Sequence, residues 1–430
     1  MTDQKFEWSR RLFLDRMLSV TAGAGIAAAA PWAAEAAAAT LALPAPKPGD
    51  RVRLAVVGTG DRGRTLIRNI QKTRNCTVAA VCDDYAPNLA KARDIAGAGV
   101  PAFADHRRMI EAGGFDALVI ATPLDLHARH AADGFDAGLH VWCEKAMART
   151  IADCGAMIAN AQRHGKVLQI GHQRMFHPTY LNALKRAKAG EIGTITQIRA
   201  SWHRNNRWRR VVPADATDRQ INWRLYRDRS AGLMTELATH QLQVANWFLG
   251  GVPTRVMGSG SICFWKDGRE VYDHVALVYE FSGGRKVIYT SLLNNARYGC
   301  EEQIQGSKGT IEPELGRIYQ EVPPKQLQLQ RMHQDIARGH KRTVPIGGAT
   351  WFPELPVTTP GESLGWSEYD ETMLQFEGFG EAVRAGRPLP GLLAQAYYAS
   401  VASLLGEQAM DRGEAMKWPT DLVAVQMSGE

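Results

Sequence analysis

Apolar and polar positions alternate in blocks along residues 52–172. Apolar runs at 52–57, 77–82, 117–121, 139–143 and 167–171 have strand length. The amphipathic stretches between them, at 62–72, 86–96, 127–137 and 150–164, carry the period of helices that bury one side. Such alternation predicts a parallel sheet with helices on both faces. Near Gly171 the rhythm changes. A helix is expected over about 178–189, then strands at 194–202, 254–264, 272–281 and 285–293, with a helical pattern at 232–249 among them. Strands in succession predict a second, largely antiparallel sheet with helices on one face. Gly283-Gly284 sits between two of these strands and reads as a hairpin turn. Residues 320–365 carry Pro and Gly without periodicity and read as a long surface excursion. Helical patterns at 370–385 and 392–411 close the chain.

The first forty residues do not share these patterns. Ser9-Arg10-Arg11-Leu12-Phe13-Leu14 precedes a weakly apolar, Ala- and Gly-rich run from Met17 to Ala30, and Ala34–Ala39 offers A-x-A cleavage sites. The run is too short and too weakly apolar for a good membrane span. This leader resembles the signals of the bacterial twin-arginine route, which exports folded proteins, with Asp15 where Lys is usual. The expected divisions are a leader over 1–39, an arm over 40–50 with Pro44, Pro46 and Pro48, a first domain over 51–172, a second over 173–369 and closing helices over 370–430. Removing the leader leaves about 390 residues, room for two cores.

Charge and cysteines narrow the partners. The net charge is +7 over 430 residues, and the leader's four cations and four acids cancel, so the excess belongs to the mature chain. No long Lys/Arg run points to nucleic acid. The six cysteines (76, 82, 143, 154, 263, 300) form no C-x-x-C and no metal spacing, so no metal site is expected and no disulfide pair is nominated.

The candidate chemistry begins at Val57. An apolar run enters G-x-G-x-x-G at Gly58, Gly60 and Gly63, a helical stretch follows, and the next apolar run ends in Asp83, twenty residues on. The first Gly permits a tight turn, the second admits a pyrophosphate to the backbone, and the third lets the helix pack close to the strand. The helix N-terminus presents unpaired N–H groups to phosphate. An acid at the second strand's end suits the ribose hydroxyls of NAD and repels the extra phosphate of NADP, so NAD is the expected cofactor. Further strands end in Ala121-Thr122-Pro123, with His127 beyond, and in Cys143-Glu144-Lys145-Ala146. A lysine at the ligand edge can stabilise an alkoxide as hydride moves. Glu236 and His240, four apart, are expected on one helical face, where a histidine beside a carboxylate makes a general base. Residues 202–210 and 222–226 are dense in Arg and aromatic side chains. Arg207, Trp208, Trp223 and Tyr226 are the candidates for holding a substrate, since planar faces suit sugars and arginines suit anions.

These motifs (VVGTGDRG, VCDD, ATP with His127, CEKA, IGHQRMFHP and GLMTELATHQLQVANW) together resemble the glucose–fructose oxidoreductase / inositol dehydrogenase / rhizopine-catabolism (Gfo/Idh/MocA) superfamily, from about residue 50 to the C-terminus. The resemblance implies an α/β Rossmann domain plus an α+β domain with an open, largely antiparallel sheet. It implies a tightly held nicotinamide cofactor and a sugar, cyclitol or sugar-derivative substrate. Lys145 matches the family's catalytic lysine in its E-K-P motif, with Ala146 in place of Pro, and His240 matches the catalytic histidine. Glu236 replaces a common Asp, and Gln243 replaces another one turn later. The cofactor residues it implies are Gly58, Thr59, Gly60, Asp61, Arg62, Gly63, Asp83, Thr122, Pro123, His127, Glu144, Lys145 and Gln173. A homodimer or homotetramer is the family-level expectation. Two alternatives accompany a dehydrogenase: an NAD-dependent glycosidase working by transient sugar oxidation, and a binding protein that keeps NAD as a structural part. The leader adds that the cofactor travels with the folded protein through the twin-arginine machinery to the periplasm.

Overall fold

The computed structural model describes residues 50–321, 361–365 and 370–425. The leader, residues 40–49 of the arm and residues 322–360 of the expected excursion lie outside the described residues.

The first sheet is parallel throughout and has the order β3-β2-β1-β4-β5-β6. Its strands are β1 (Val52–Val57), β2 (Cys76–Cys82), β3 (Ala102–Phe103), β4 (Ala117–Ile120), β5 (His140–Cys143) and β6 (Leu168–Ile170). Between them run α1 (Asp61–Lys72), α2 (Ala86–Ala96), α3 (His106–Ala112), α4 (His127–Asp136) and α5 (Ile151–His164). Both faces are covered by helices, so β4 reads ALVI and is buried at every position. In α1, Leu66, Ile67 and Ile70 form the buried stripe, and Asp61 in the first turn faces the positive dipole end. Thr150 caps α5 by accepting from the Asp153 N–H at 3.0 Å, and Gly165 ends it in the left-handed region (φ 61°). The strand order reverses between β1 and β4, which opens a ligand crevice at their carboxyl ends.

The second sheet has nine strands in the order β14-β13-β12-β11-β7-β10-β9-β8-β15. They are β7 (Ile195–His203), β8 (Arg255–Ser261), β9 (His274–Glu280), β10 (Lys286–Leu292), β11 (Cys300–Gly306), β12 (Gly309–Glu312), β13 (Arg317–Gln320), β14 (Glu362–Ser363) and β15 (Met416–Lys417). Only the β7–β10 pair is parallel among the described strands of this sheet. Its helices are α6 (Pro178–Lys188), the single turn α7 (Asp218–Ile221) and α8 (Thr239–Leu249). One face carries helices and the other is open, so burial alternates along β9 and β10. The Gly283-Gly284 turn joins β9 to β10 as expected.

The chain then returns to the first sheet. In α9 (Glu371–Ala385), Phe376 and Phe379 enter the core of Val52, Leu54, Val56 and Trp142, with the Phe376 and Trp142 rings 4.8 Å apart. Asn75 Nδ2 donates to the Glu377 carbonyl at 2.7 Å, and Arg74 pairs with the Glu377 carboxylate at 3.1 Å. The final helix, α10 (Leu392–Arg412), is buried almost all round between the two sheets' helices. Arg149, just beyond β5, reaches Glu407 of α10 through two N–H groups, each at 2.9 Å.

Sequence patterning did not anticipate β3, α3, the single turn α7 or any of β11 to β15. β3 and α3 have two and seven residues, too short for a period to show. β11 reads CEEQIQG, and its buried Glu302 breaks the apolar alternation. Glu302 is tolerated because Arg174 and Tyr180 donate to it inside the fold.

Truncating Phe376 to Ala should cost about 3–5 kcal/mol, because the cavity would sit where α9 meets the first sheet. Denaturant unfolding measures it, and a loss under about 1 kcal/mol would show that α9 does not fasten this sheet.

Candidate active site

The glycine loop is shaped by contact. Gly58 has φ 83°, and a Cβ there would lie 2.6 Å from the Ala121 carbonyl oxygen. A Cβ on Gly63 would collide with the Gly58 carbonyl, so α1 packs against the loop as the motif requires. Gly60 is different: its Cβ would meet only Asn88 Nδ2, at 4.0 Å, so the loop's outer side is open where a pyrophosphate needs room. Asp83 directly follows β2 and is 8% exposed. It accepts from the Thr59 N–H at 2.6 Å, the Thr59 hydroxyl at 3.1 Å and the Tyr85 N–H at 2.9 Å. Burial pushes its carboxyl up, against those donors. The acid thus fixes the loop as well as facing the crevice edge.

The ends of β4 and β5 are tied to this loop and to each other. Arg62, the second residue of α1, donates to Glu144, whose other oxygen accepts from the Lys145 N–H at 3.1 Å. His127 is 2% exposed, with one ring nitrogen 3.1 Å from the Thr122 carbonyl and the other 3.1 Å from the Ala146 carbonyl. It staples the Thr122-Pro123 turn to the Glu144–Ala146 turn, and its contacts are with protein. The Lys145–Ala146 peptide is cis. Gln173 follows β6, and its Oε1 is buried with no protein partner among the described residues, an acceptor suited to the amide of a nicotinamide. An open glycine loop, a strand-end acid and this free acceptor fit a nicotinamide dinucleotide along the strand ends.

The second sheet brings the remaining candidates. The helical pattern at 232–249 begins as a wider π turn, Met234–Ala238, before α8. This changes the expected geometry, because the extra residue per turn rotates Glu236 away from a four-residue partnership with His240. The Glu236 carboxylate accepts from Arg224 Nε at 2.6 Å and Ser230 Oγ at 3.3 Å, and no bond joins it to His240. Its backbone carbonyl accepts from Lys145 Nζ at 2.8 Å. Burial pushes the Glu236 carboxyl up, but the Arg224 and Lys145 charges outweigh it and hold it below the usual range.

His240 is 5% exposed, and its ring lies 5.5 Å from the Trp202 ring and 5.9 Å from that of His172. Burial, followed by the Lys145, Arg174 and His172 charges, holds it well below its ordinary value, so the imidazole is neutral. His172, unassigned by the sequence motifs, donates to or accepts from the Thr239 hydroxyl at 2.9 Å. Burial and the neighbouring Lys145 depress it to about 3. Its signal was present in IGHQRMFHP but carried no role until α8 packed beside it.

The four proposed substrate residues are placed less uniformly. Trp223 carries the Arg224 guanidinium on its face, 4.4 Å from the ring centroid, and so borders the Glu236 cluster. Tyr226 instead donates to Asp218 and is covered by Arg219 at 4.4 Å, a local packing unit. Arg207 is exposed, and its carbonyl accepts from Arg269. Trp208 is partly buried with φ 62°, held by its N–H donating to Asn206 at 2.7 Å. These two lie on segment 204–217, which runs from the end of β7 across to the first sheet. There Arg210 pairs with Asp61 of α1 at 2.8 Å, and the Tyr85 hydroxyl donates to Asp215 at 3.2 Å. The segment is a strap across the crevice, attached beside the glycine loop and beside Asp83.

All six cysteines are free thiols. No group of three or more His, Cys, Asp or Glu that could hold a metal ion occurs among the described residues.

Comparison with known proteins matches this architecture. Residues 52–172 match the oxidoreductase family with an NAD-binding Rossmann fold, and residues 180–312 match the GFO/IDH/MocA C-terminal domain. Inositol 2-dehydrogenase 1 of Saccharopolyspora erythraea is 30% identical over 268 residues, which span 60% of this chain and 73% of that protein. The rhizopine catabolism protein MocA of Rhizobium meliloti is 28% identical over 265 residues, 61% of this chain and 78% of its own length. The crystal structure of aldose-aldose oxidoreductase from Caulobacter crescentus complexed with glycerol shares the fold, with a TM-score of 0.65 at 20% identity over 86% of this chain and 100% of that one. The chain belongs to the Gfo/Idh/MocA family of NAD-binding oxidoreductases, enzymes of CH–OH chemistry.

Proposed function

We propose that this enzyme takes hydride from a secondary alcohol of a sugar or cyclitol, uses NAD in preference to NADP, and keeps the cofactor bound between turnovers. The observation that carries the reading is the meeting of Lys145, from the first sheet, with the Glu236–His240 turn of the second. Bound NAD supplies the hydride acceptor. His240, neutral by burial, takes the hydroxyl proton of the substrate. Lys145 donates an N–H toward the same oxygen as negative charge grows there, oriented by the Glu236 carbonyl. The Glu236 carboxylate is engaged by Arg224 and Ser230, so it sets the charge beside Lys145 and takes no proton. Gln173, the glycine loop and Asp83 hold the cofactor, and the acid favours a ribose diol over a ribose phosphate.

Two features support a resident cofactor and an exported enzyme. The leader at 1–39 matches a route for folded proteins, so NAD bound in the cell crosses with its host. The strap at 204–217 closes the crevice on the side of the glycine loop and Asp83. The names of the relatives, an inositol dehydrogenase and an aldose oxidoreductase, suit a cyclitol or aldose substrate. The open face of the nine-stranded sheet is the surface we assign to a homodimer or homotetramer.

The test is the reduced-nicotinamide absorbance of purified protein before and after a panel of aldoses and inositols. Lys145→Met and His240→Ala should each lower kcat roughly 10²–10⁴-fold; full turnover in both variants would overturn the assignment. Release of an aglycone from glycosides without net reduction would favour the glycosidase instead, and a spectrum unchanged by every sugar would favour a binding protein.

The pH profile follows from the two shifts. His240 acts as a neutral base and is held well below 6.5, so the acid limb should fall below that pH. Lys145 acts as a cation, and burial holds it under 10.5 despite Glu236 and Glu144, so activity should disappear as pH rises, earlier than for an exposed lysine. Glu236→Gln removes a charge that favours the Lys145 cation. The alkaline limb should then move to lower pH; an unmoved limb would assign it to another group.

Retention is tested separately. Arg210→Ala combined with Asp215→Ala should lower the NAD recovered with purified, folded protein and speed its exchange with free cofactor. Unchanged NAD content and exchange would exclude the strap as the retaining element.

A further inference from the structure

Side chains alternate along β7, so Ile198, Ala200 and Trp202 share the face under the helices, with Ile198 and Ala200 buried there. Arg204, two residues past Trp202, continues that row. Its guanidinium carbon lies 5.0 Å from the Trp202 ring centroid, and the same ring lies 5.5 Å from that of His240. Trp202 is therefore shared by the imidazole and an arginine, and a cation over an indole face is held in place.

Two arginines lie against this ring, and only one of them is committed to acids. Arg174, 5.6 Å from the Trp202 ring, pairs with Glu302 and Glu314. Arg224 pairs with Glu236, Arg209 with Asp218, and Arg210 with Asp61. Arg204 has no carboxylate within ion-pair distance and no hydrogen bond from its guanidinium among the described residues. Nothing in the packing requires a charge there, since an apolar side chain would cover Trp202 as well. Five N–H donors in a planar fork are thus without a partner among the described residues, and that fork matches a carboxylate in two parallel bonds. A phosphate dianion calls for a second cation, but the other arginine on this ring is already neutralised by two acids. One uncommitted cation balances a monoanion.

We infer that the substrate is a sugar acid, with the carbinol to be oxidised at His240 and a carboxylate received by Arg204. This rests on the dehydrogenase reading above and adds the substrate class. The reaction balances as before: the carbinol loses a hydride to bound NAD and a proton to His240, while the carboxylate stays intact as a handle.

The experiment compares D-glucuronate, D-galacturonate and D-mannuronate with the matching hexoses and with the uronate methyl esters, which keep the shape and lose the charge. The readout is reduction of bound NAD in the holoenzyme. At least one uronate should exceed its hexose and its methyl ester in kcat/KM by about tenfold or more, with a KM that rises with salt. Arg204→Met should remove that advantage, a loss of roughly 10–100-fold on uronates carried mainly by KM and clearly larger than any loss on hexoses. Arg204→Lys should restore part of it. Hexoses reacting as well as uronates, or Arg204→Met lowering both by the same factor, would overturn the sugar-acid inference and leave the dehydrogenase reading standing. If no sugar of either kind reduces the bound NAD, both readings fall together.

Discussion

The hydrogen bond from Lys145 Nζ to the Glu236 carbonyl joins the two sheets at the place where chemistry is proposed. An ammonium drawn out of water is costly unless it is paired. Here the compensation comes from both sides: Glu144 precedes Lys145 on its own strand end, and Glu236 arrives from the π turn of the other unit. The position of Lys145 is therefore not a property of β5 alone. It exists only while the second sheet holds the π turn against the carboxyl ends of the first.

Several other features keep that meeting in register. His127 bridges the carbonyls of Thr122 and Ala146, so the ends of β4 and β5 move as one. Arg62 and Glu144 tie the same turn to the glycine loop. From behind, Arg149 and Glu407 attach it to α10, while Phe376 of α9 packs on Trp142 of β5. The closing helices thus return the C-terminus of the chain to the sheet that begins it. Because α10 contacts α8 as well as the Arg149 turn, one helix bears on both halves of the site.

The electrostatics follow from this enclosure. Glu236 sits below its ordinary range and Lys145 below its own, so the carboxylate stays charged while the lysine titrates more easily than it would in water. His240 faces the Lys145 and Arg174 cations in a buried setting, which keeps the imidazole neutral and ready to accept a proton. Arg174 is in turn neutralised by Glu302 and Glu314, two acids from β11 and the β12–β13 turn that no periodicity singled out. Arg204, on the same indole, has no such counterweight among the described residues. That difference between two arginines on one ring is what the sugar-acid inference rests on.

Much of this was legible along the chain. The spacing of Gly58, Gly60, Gly63 and Asp83 is a local pattern, because one βαβ unit makes the whole contact, and each residue acts within a few bonds of its neighbours. The strand ends at Thr122 and Lys145 were legible for the same reason, as were the helix boundaries at Thr150 and Gly165 and the hairpin turn at Gly283-Gly284. Short or half-polar elements such as β3, α3 and β11 were not, since one or two repeats are too few for a pattern to stand out and a buried ion pair disguises an interior strand. By itself the sequence determined the fold class and the cofactor-binding domain, and it named Lys145 and His240 as the candidates for chemistry. Only the tertiary structure decided that Glu236 turns to Arg224 and away from His240, that Tyr226 packs on its own loop, that His172 stands beside His240, and that Arg204 is left uncommitted. The Glu236 contacts depend on a π turn, the place of His172 on a helix far along the chain, and the state of Arg204 on which acids the fold brings near, while Tyr226 depends on the path of its own loop back to Asp218 and Arg219. Linear periodicity cannot encode a change of helical register or an acid that is missing from a neighbourhood.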